Sequence, residues 1–414
     1  MNEFESAPKS RRTPTAIRIA LHSPLYRGAT IALFLSGIGT SAAAPQITLF
    51  LVNDLRVPLS SAGLYYLTSL TAPVAGYLIG SRSDRTGRRL GLFRWCALAG
   101  FAGWLAIAFA TEVWVPYAIS ALVLAFAGAA TSQLFAAVHD DLRGTENAAS
   151  DGVISIVRMA LTAGWIVGPV LGFWLAAQFG ARTMLVATAV FTLAQIIPLG
   201  FARGSKSPRL VVELPRGELA HVVRANGFRT MLPLFAFAGL YALVYAGEPI
   251  KYGYLPIYMR DSLHLPAAIS GAVIGIQPLI ELGLMPVAVL VARKTGVIRL
   301  MVVGALFGVA ANLCFALSAN AAGMFAGQFF MGGVWGIFAG LGIVVAQRLL
   351  PQAVATASAV FLSASSVASA LGGAVGSIGV SALGLPLVFL IPATFALVAS
   401  VGLAIMDRSR AGVT

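Results

Sequence analysis

Charge is scarce in this sequence. Only 10% of its 414 residues are Asp, Glu, Lys or Arg, against about 25% in a water-soluble domain, and that deficit excludes an ordinary globular surface. Cysteine is nearly absent. Cys96 and Cys314 lie in apolar segments without metal-ligand spacing, so neither a disulfide framework nor a zinc site is suggested. The four histidines (His22, His139, His221, His264) are scattered at or near loops and form no catalytic or metal constellation. No Gly-rich phosphate loop ending in Lys-Ser/Thr occurs, which argues against ATP-driven chemistry. Neither an enzyme nor a resident cofactor or metal is therefore expected.

What is present is apolar. Hydrophobic residues make up 58% of the chain and the mean hydropathy is +0.86. In hydrocarbon every backbone polar group must be satisfied internally, which leaves a helix bundle or a closed barrel. Barrel strands alternate apolar and polar residues, and runs such as Ala97–Ala110 and Leu300–Leu317 do not. The 44 glycines suit close approach of membrane helices. The expectation is an all-α membrane protein.

A spanning helix needs roughly 20 apolar residues. Apolar runs between charged or turn-rich punctuation predict twelve spans, at 27–52, 62–80, 91–111, 114–138, 151–176 and 181–201, then 230–259, 267–292, 298–318, 321–347, 354–381 and 385–406. The predicted organisation is a cytoplasmic tail (1–26), a six-helix half (27–202), a basic cytoplasmic linker (203–229), a second six-helix half (230–406) and a cytoplasmic tail (407–414). The first 26 residues are polar and basic and read as a tail, not a signal peptide.

The net charge of +13 reads as topology and not as a nucleic-acid surface. With both termini cytoplasmic, all but five of the 28 Lys and Arg fall in inside segments. Arg56, Arg182, Lys251 and Arg260 are left outside, and Arg158 in the membrane. That asymmetry obeys the positive-inside rule and indicates a multi-pass inner-membrane protein in contact with lipid.

Between the second and third spans the chain reads Gly80-Ser-Arg-Ser-Asp84-Arg85-Thr-Gly87-Arg88-Arg89. Gly87 permits a tight turn. Asp84 falls at a helix end, placed to pair with an arginine or a neighbouring helix N-terminus. The stretch resembles the major facilitator superfamily signature loop at every defining position. The resemblance implies the major facilitator fold of two six-helix halves, with this loop as a conformational latch. The corresponding loop of the second half, Ala292 to Gly296, keeps basic residues and a glycine but lacks the aspartate. In the fifth span, Gly164-Trp-Ile-Val-Gly168-Pro169-Val-Leu-Gly172 resembles the Gly-Pro motif of facilitator exporters. Close helix packing is an equally open role for Gly168 and Pro169.

A charge inside the bilayer costs at least ~2.5–3.5 kcal/mol, so each needs a reason. Arg158 lies about eight residues into the fifth span, roughly 10–12 Å deep at 1.5 Å per residue, and Glu281 lies near mid-depth of the eighth. A carboxylate out of water favours its protonated form, which makes Glu281 the candidate proton carrier. Arg158 is a candidate substrate ligand or the counter-charge that ejects the proton; a static salt bridge between the two is the alternative. Glu248 and Lys251, with Tyr241, Tyr245, Tyr252 and Tyr254, crowd the outer seventh span, with Pro249 and Gly253 as helix breakers. They suggest a gate or cavity wall, or else an interfacial aromatic belt. Gln46, Gln133, Gln277 and Trp335 offer the amides and flat ring that a sugar requires, or plain helix–helix hydrogen bonds. Asp140, Asp141, Glu146 and Asp151 are expected to pair with nearby basic loops.

Several segments resemble the sugar efflux transporter family: Gln133-Leu-Phe-Ala-Ala137, Val157-Arg158-Met159, Trp165 to Pro169, and the region from Leu265-Pro266 to Glu281 and Pro286. The resemblance implies a monomeric, proton-linked exporter of sugars or small glycosides working by alternating access. His139 and the tyrosine-rich seventh span depart from the pattern. A drug or metabolite exporter of the same superfamily, and a non-transporting receptor or scaffold, remain the alternatives.

Overall fold

The computed structural model describes residues 16–142, 147–200 and 228–411. Among them no strand occurs and almost every residue is helical. Among the described residues eleven helices are long and apolar enough to cross a bilayer: α1 (Pro24–Asn53), then, beyond α2 (59–86), α3 (Arg89–Ala108), α4 (Trp114–Asp141), α5 (Gly152–Phe179), α6 (Ala181–Leu199), α7 (Thr230–Ser262), α8 (Ala267–Thr295), α9 (Val297–Leu317), α10 (Ala321–Leu349), α11 (Thr356–Leu383) and α12 (Leu387–Arg408). The remaining segment, α2 (59–86), is helical throughout but runs as an α-turn, a 3-10 stretch over Gly63–Thr71 and an α-helix over Ala72–Thr86. Its tyrosines and hydroxyls make it the least apolar of the twelve. Each predicted span thus has its helix, with ends displaced by a few residues. The predicted linker at 203–229 lies almost wholly outside the described residues, as do Glu146 and the side chain of Asp151.

Local chemistry sets several ends. Pro24 opens α1 behind Ser23, whose hydroxyl accepts from the Tyr26 amide at 3.5 Å. Asn320 caps α10 by accepting from Gly323 N at 2.9 Å. Gly87 ends α2 at φ 62°, and Gly296 turns α8 into α9 at φ 93°. A side chain is disfavoured at such angles, so the signature loop and its counterpart in the second half each turn on a glycine of positive φ.

Small residues bring the helices together. On α5, a Cβ added to Gly164 would lie 2.5 Å from Phe34 O, one on Gly168 would lie 2.5 Å from Ile38 O, and one on Gly172 would lie 2.8 Å from Ala42 O. The exporter-like glycines are therefore the face that packs against α1, and Ser41 Oγ donates to Gly164 O at 3.2 Å across that seam. In the second set, Gly332 and Gly336 of α10 receive Ile280 and Leu284 of α8.

The two sets of six meet unevenly. Call the end of the bundle carrying Gly87 and Gly296 the basic end, and the other the far end. The close approaches between the sets lie in the far half. Gly271 sits against Val170, Gly275 against Ile166 O, and Gly63 against Gly373. Ser69 Oγ donates to Ser366 O at 3.0 Å, and Arg260 Nη2 donates to Asn53 Oδ1 at 3.0 Å. Toward the basic end α2 and α11 part, leaving Val74, Tyr77, Leu78 and Leu362 exposed, and among the described residues α4 and α10 share at most isolated contacts. The bundle is closed at the far end and open at the basic end.

Candidate functional site

α7 breaks at Ala246, between helical runs ending at Tyr245 and starting at Gly247. The expected breakers, Pro249 and Gly253, instead lie inside the second run, where Pro249 needs no amide donor in the first helical turn. A matching interruption at 44–46 breaks α1 and leaves Gln46 at the start of its second run. Gly372 of α11 packs directly over the α7 break at Ala246 and Pro249.

Just past this break the structure assembles a buried polar cluster. Lys251 is fully buried and Glu248 is 9% exposed. Lys251 Nζ donates to both carboxylate oxygens of Glu248, at 2.8 and 2.9 Å, and also to Gln277 Oε1 on α8. Trp335 Nε1 on α10 donates to Glu248 Oε1 at 2.7 Å. All three ammonium donors thus have partners, and Nζ stands 4.4 Å above the Tyr252 ring. Desolvating two charges is costly unless the pair is well formed and otherwise hydrogen-bonded; this pair is both. Lys251 therefore does not lie on the outside surface, where the charge count left it: three residues from Glu248 on a helix, it turns inward because a carboxylate and an amide await it there.

Aromatic rings wall the cluster. Trp335 meets Tyr245 edge-on at 5.2 Å and Tyr241 at 6.4 Å. From the other set of helices, Trp165 meets Tyr252 at 6.4 Å, and Tyr66 lies against Gly253 and Gly373. The outer seventh-span tyrosines are therefore interior walls and not a belt at the lipid interface. Glu281 lies one helical turn beyond Gln277, toward the basic end. It is partly exposed and within electrostatic reach of both Glu248 and Lys251.

Other candidates fall elsewhere. Arg158 is exposed and lies two turns from Trp165 toward the open basic end. Among the described residues no ion pair joins it to Glu281, which removes the static salt-bridge alternative in this conformation. Gln133 is buried within α4 beside Leu134. Gln46 is buried with its Nε2 unpartnered and lines a separate cavity at the far end. Gln328, two turns from Trp335 on α10, is fully buried with both amide atoms unpartnered. It was missed from sequence because one amide in an apolar run carries no distinguishing pattern. Lys251 had a legible signal, Glu-x-x-Lys on one helical face.

The signature loop closes on itself. Arg89 Nη1 donates to Asp84 Oδ1 at 2.6 Å and to Ser83 Oγ at 2.9 Å, while its Nε donates to Asp140 Oδ2 at 3.0 Å. One guanidinium thus joins the ends of α2, α3 and α4. Asp140 finds the basic loop partner expected of it.

The chain matches the Major Facilitator Superfamily over residues 29–373. It is 26% identical over 381 residues to sugar efflux transporter A of Dickeya chrysanthemi, covering 91% of this chain and 92% of that one. It is 25% identical over 355 residues to sugar efflux transporter A of Escherichia coli, covering 85% and 88%. In solved structures, the nucleoside transporter NupG superposes with a TM-score of 0.76 at 16% identity, covering 92% of this chain and 99% of NupG. The peptide transporter POT in complex with sulfate gives 0.73 at 14%, covering 96% and 99%. This chain belongs to the Major Facilitator Superfamily. It is a multi-pass membrane transporter and not an enzyme.

Proposed function

We propose that this transporter exports sugars or small glycosides in exchange for protons, by alternating access. The observation that carries the reading is the Glu248–Lys251–Gln277–Trp335 cluster at the middle of the bundle, walled by tyrosines and reached from the open basic end. Indole and phenol rings suit the apolar faces of a sugar ring, and amides and carboxylates suit its hydroxyls. The sugar efflux transporters among its relatives support the substrate class.

Charge balance supports the proton. Glu248 and Lys251 neutralise each other, and Glu281 is the surplus carboxylate beside them. Its charge is balanced most simply by a proton arriving from outside, which resets the inward-facing state after sugar release. Arg158, on the approach from the basic end, meets substrate hydroxyls or returns the proton. The basic end faces the cytoplasm of the inner membrane, with both termini on that side, because Arg82, Arg85, Arg88, Arg89, Arg293 and Lys294 all lie there. The protein works as a monomer, and the Arg89 junction holds the first half together as the halves rock.

The test is efflux from reconstituted vesicles under an imposed pH gradient, with a panel of labelled sugars and a lipophilic dye. Gradient-dependent movement of a sugar with the dye inert supports the proposal. Movement of the dye alone reassigns the chain to drug export, and movement of neither rejects transport of both classes.

A further inference from the structure

A cavity of about 460 Å³ opens at the far end, between the ends of α1, α5, α6, α7 and α8. Its polar lining comes from Gln46, Asn53, Asp54, Ser270 and Arg260, and the ring of Phe173 forms an apolar wall. Gln46 and Ser270 are each only 2% exposed, and Gln46 Nε2 has no partner in the protein. An unpaired buried amide is costly, and a ligand hydroxyl would satisfy it. Carboxylate, amide and hydroxyl groups beside an aromatic face are the complement of a polyol ring.

The cavity is distinct from the central cluster. Ser270 precedes Gln277 by seven residues on α8, roughly 10 Å along the axis. Between them runs a tight seam of the two halves. A Cβ on Gly271 would stand 2.7 Å from Val170 Cα, and one on Gly275 would stand 2.7 Å from Ile166 O. Nothing the size of a sugar passes while that seam is closed. Across the cavity mouth, Arg260 of the second half reaches Asn53 of the first at 3.0 Å. Both the floor and the strap are contacts between halves, so they separate together when the far end opens, and the cavity then becomes continuous with the central cluster.

We infer that this cavity is an exit subsite for a neutral sugar, occupied after the central cluster releases it and before it reaches the outside. The inference rests on the sugar-export reading and adds to it a second binding position with its own ligands, Gln46, Ser270 and Phe173. The site also binds external sugar while the far end is closed, because its mouth already faces outward.

The test places a cysteine at Ala177, an exposed lining residue, and follows its labelling by an impermeant thiol reagent applied to the far face of vesicles. The probe is methyl glucoside, or whichever sugar of the efflux panel is transported. Added sugar is expected to slow labelling of Ala177→Cys at least threefold, and to leave labelling of Ala322→Cys on the far end of α10 unchanged. Gln46→Leu or Ser270→Ala is expected to abolish protection. Protection is expected to survive Trp335→Leu, which removes the indole of the central cluster. If a transported sugar gives no protection, or if protection disappears with Trp335→Leu, there is no independent subsite. If no sugar is transported by the unaltered protein, the export reading itself fails. Sugar protection of Ala177→Cys without transport would then identify a sugar-binding surface on a transporter of something else.

Discussion

Lys251 Nζ lies 2.8 and 2.9 Å from the two carboxylate oxygens of Glu248, one helical turn earlier on α7 and wholly inside the bundle. The pair joins the turn after the Ala246 break to α8 through Gln277 and to α10 through Trp335. Three helices of the second half are thereby tied at one point next to the opening between halves.

Lys251→Met leaves Glu248 charged and unpaired out of water. Breaking such a pair costs about 3–5 kcal/mol, whereas removing both charges is often far milder. The single variant is expected to unfold at a clearly lower temperature than the parent in detergent, and Glu248→Gln combined with Lys251→Met to recover most of the loss. Equal destabilisation by single and double variants would show that the two charges act independently.

Glu281→Gln fixes the surplus carboxylate in a neutral state. Efflux driven by a pH gradient is expected to fall at least tenfold, with sugar counterflow at equal pH largely retained. Surviving gradient-driven flux would remove Glu281 from the proton path.

The seam at Gly271 and Gly275 has no room for a side chain larger than hydrogen. Gly275→Val is expected to prevent the far end from closing, shifting the population toward the outward-open form and cutting transport at least tenfold. Faster labelling of Ala177→Cys from the far face in this background is the direct readout. Unaltered labelling and flux would mean that α5 yields to the added methyl groups.

Asn53→Cys with Arg260→Cys, bridged by a short bifunctional thiol reagent, is expected to hold the far end shut and stop transport until the bridge is cleaved. Transport that continues with the bridge complete would show that these ends do not separate during the cycle.

Arg89 serves two carboxylates of unequal exposure: the Asp140 side chain is 7% exposed and that of Asp84 is 45% exposed. Asp84→Asn is expected to cost within about 1 kcal/mol, as exposed pairs do, and Asp140→Asn more, about 1–3 kcal/mol, since it leaves a buried hydrogen bond to the guanidinium altered. Thermal unfolding of the two variants side by side checks the order.

Much of the bundle was legible because membrane spans are written locally. A run such as 267–292 is recognisable from hydrophobic length against a fixed bilayer thickness, and α8 extends over Ala267–Thr295. The glycine turn at Gly87 follows from a backbone preference that needs no tertiary information. Glu248, Gln277 and Trp335 were legible as single polar groups in apolar runs. Their meeting point was not, since Trp335 lies 87 residues from the carboxylate it donates to. Gln46 and Gln277 carry the same amide and read alike in sequence, yet Gln46 lines the far-end cavity while Gln277 accepts from Lys251 in the central cluster. Lys251 was misplaced because depth counted along a helix does not say which way a long side chain turns.

The sequence by itself determined the class of molecule, its twelve spans, the basic asymmetry of its loops and the turn that carries the signature motif. Each of these depends on composition, length or one residue's backbone freedom. Only the tertiary structure decided that Lys251 is buried against Glu248, that Arg158 and Glu281 stay apart, and that the far end is closed while the basic end is open. Those outcomes depend on the rotation of each helix about its own axis and on which neighbours it meets, quantities that an apolar run of given length leaves free.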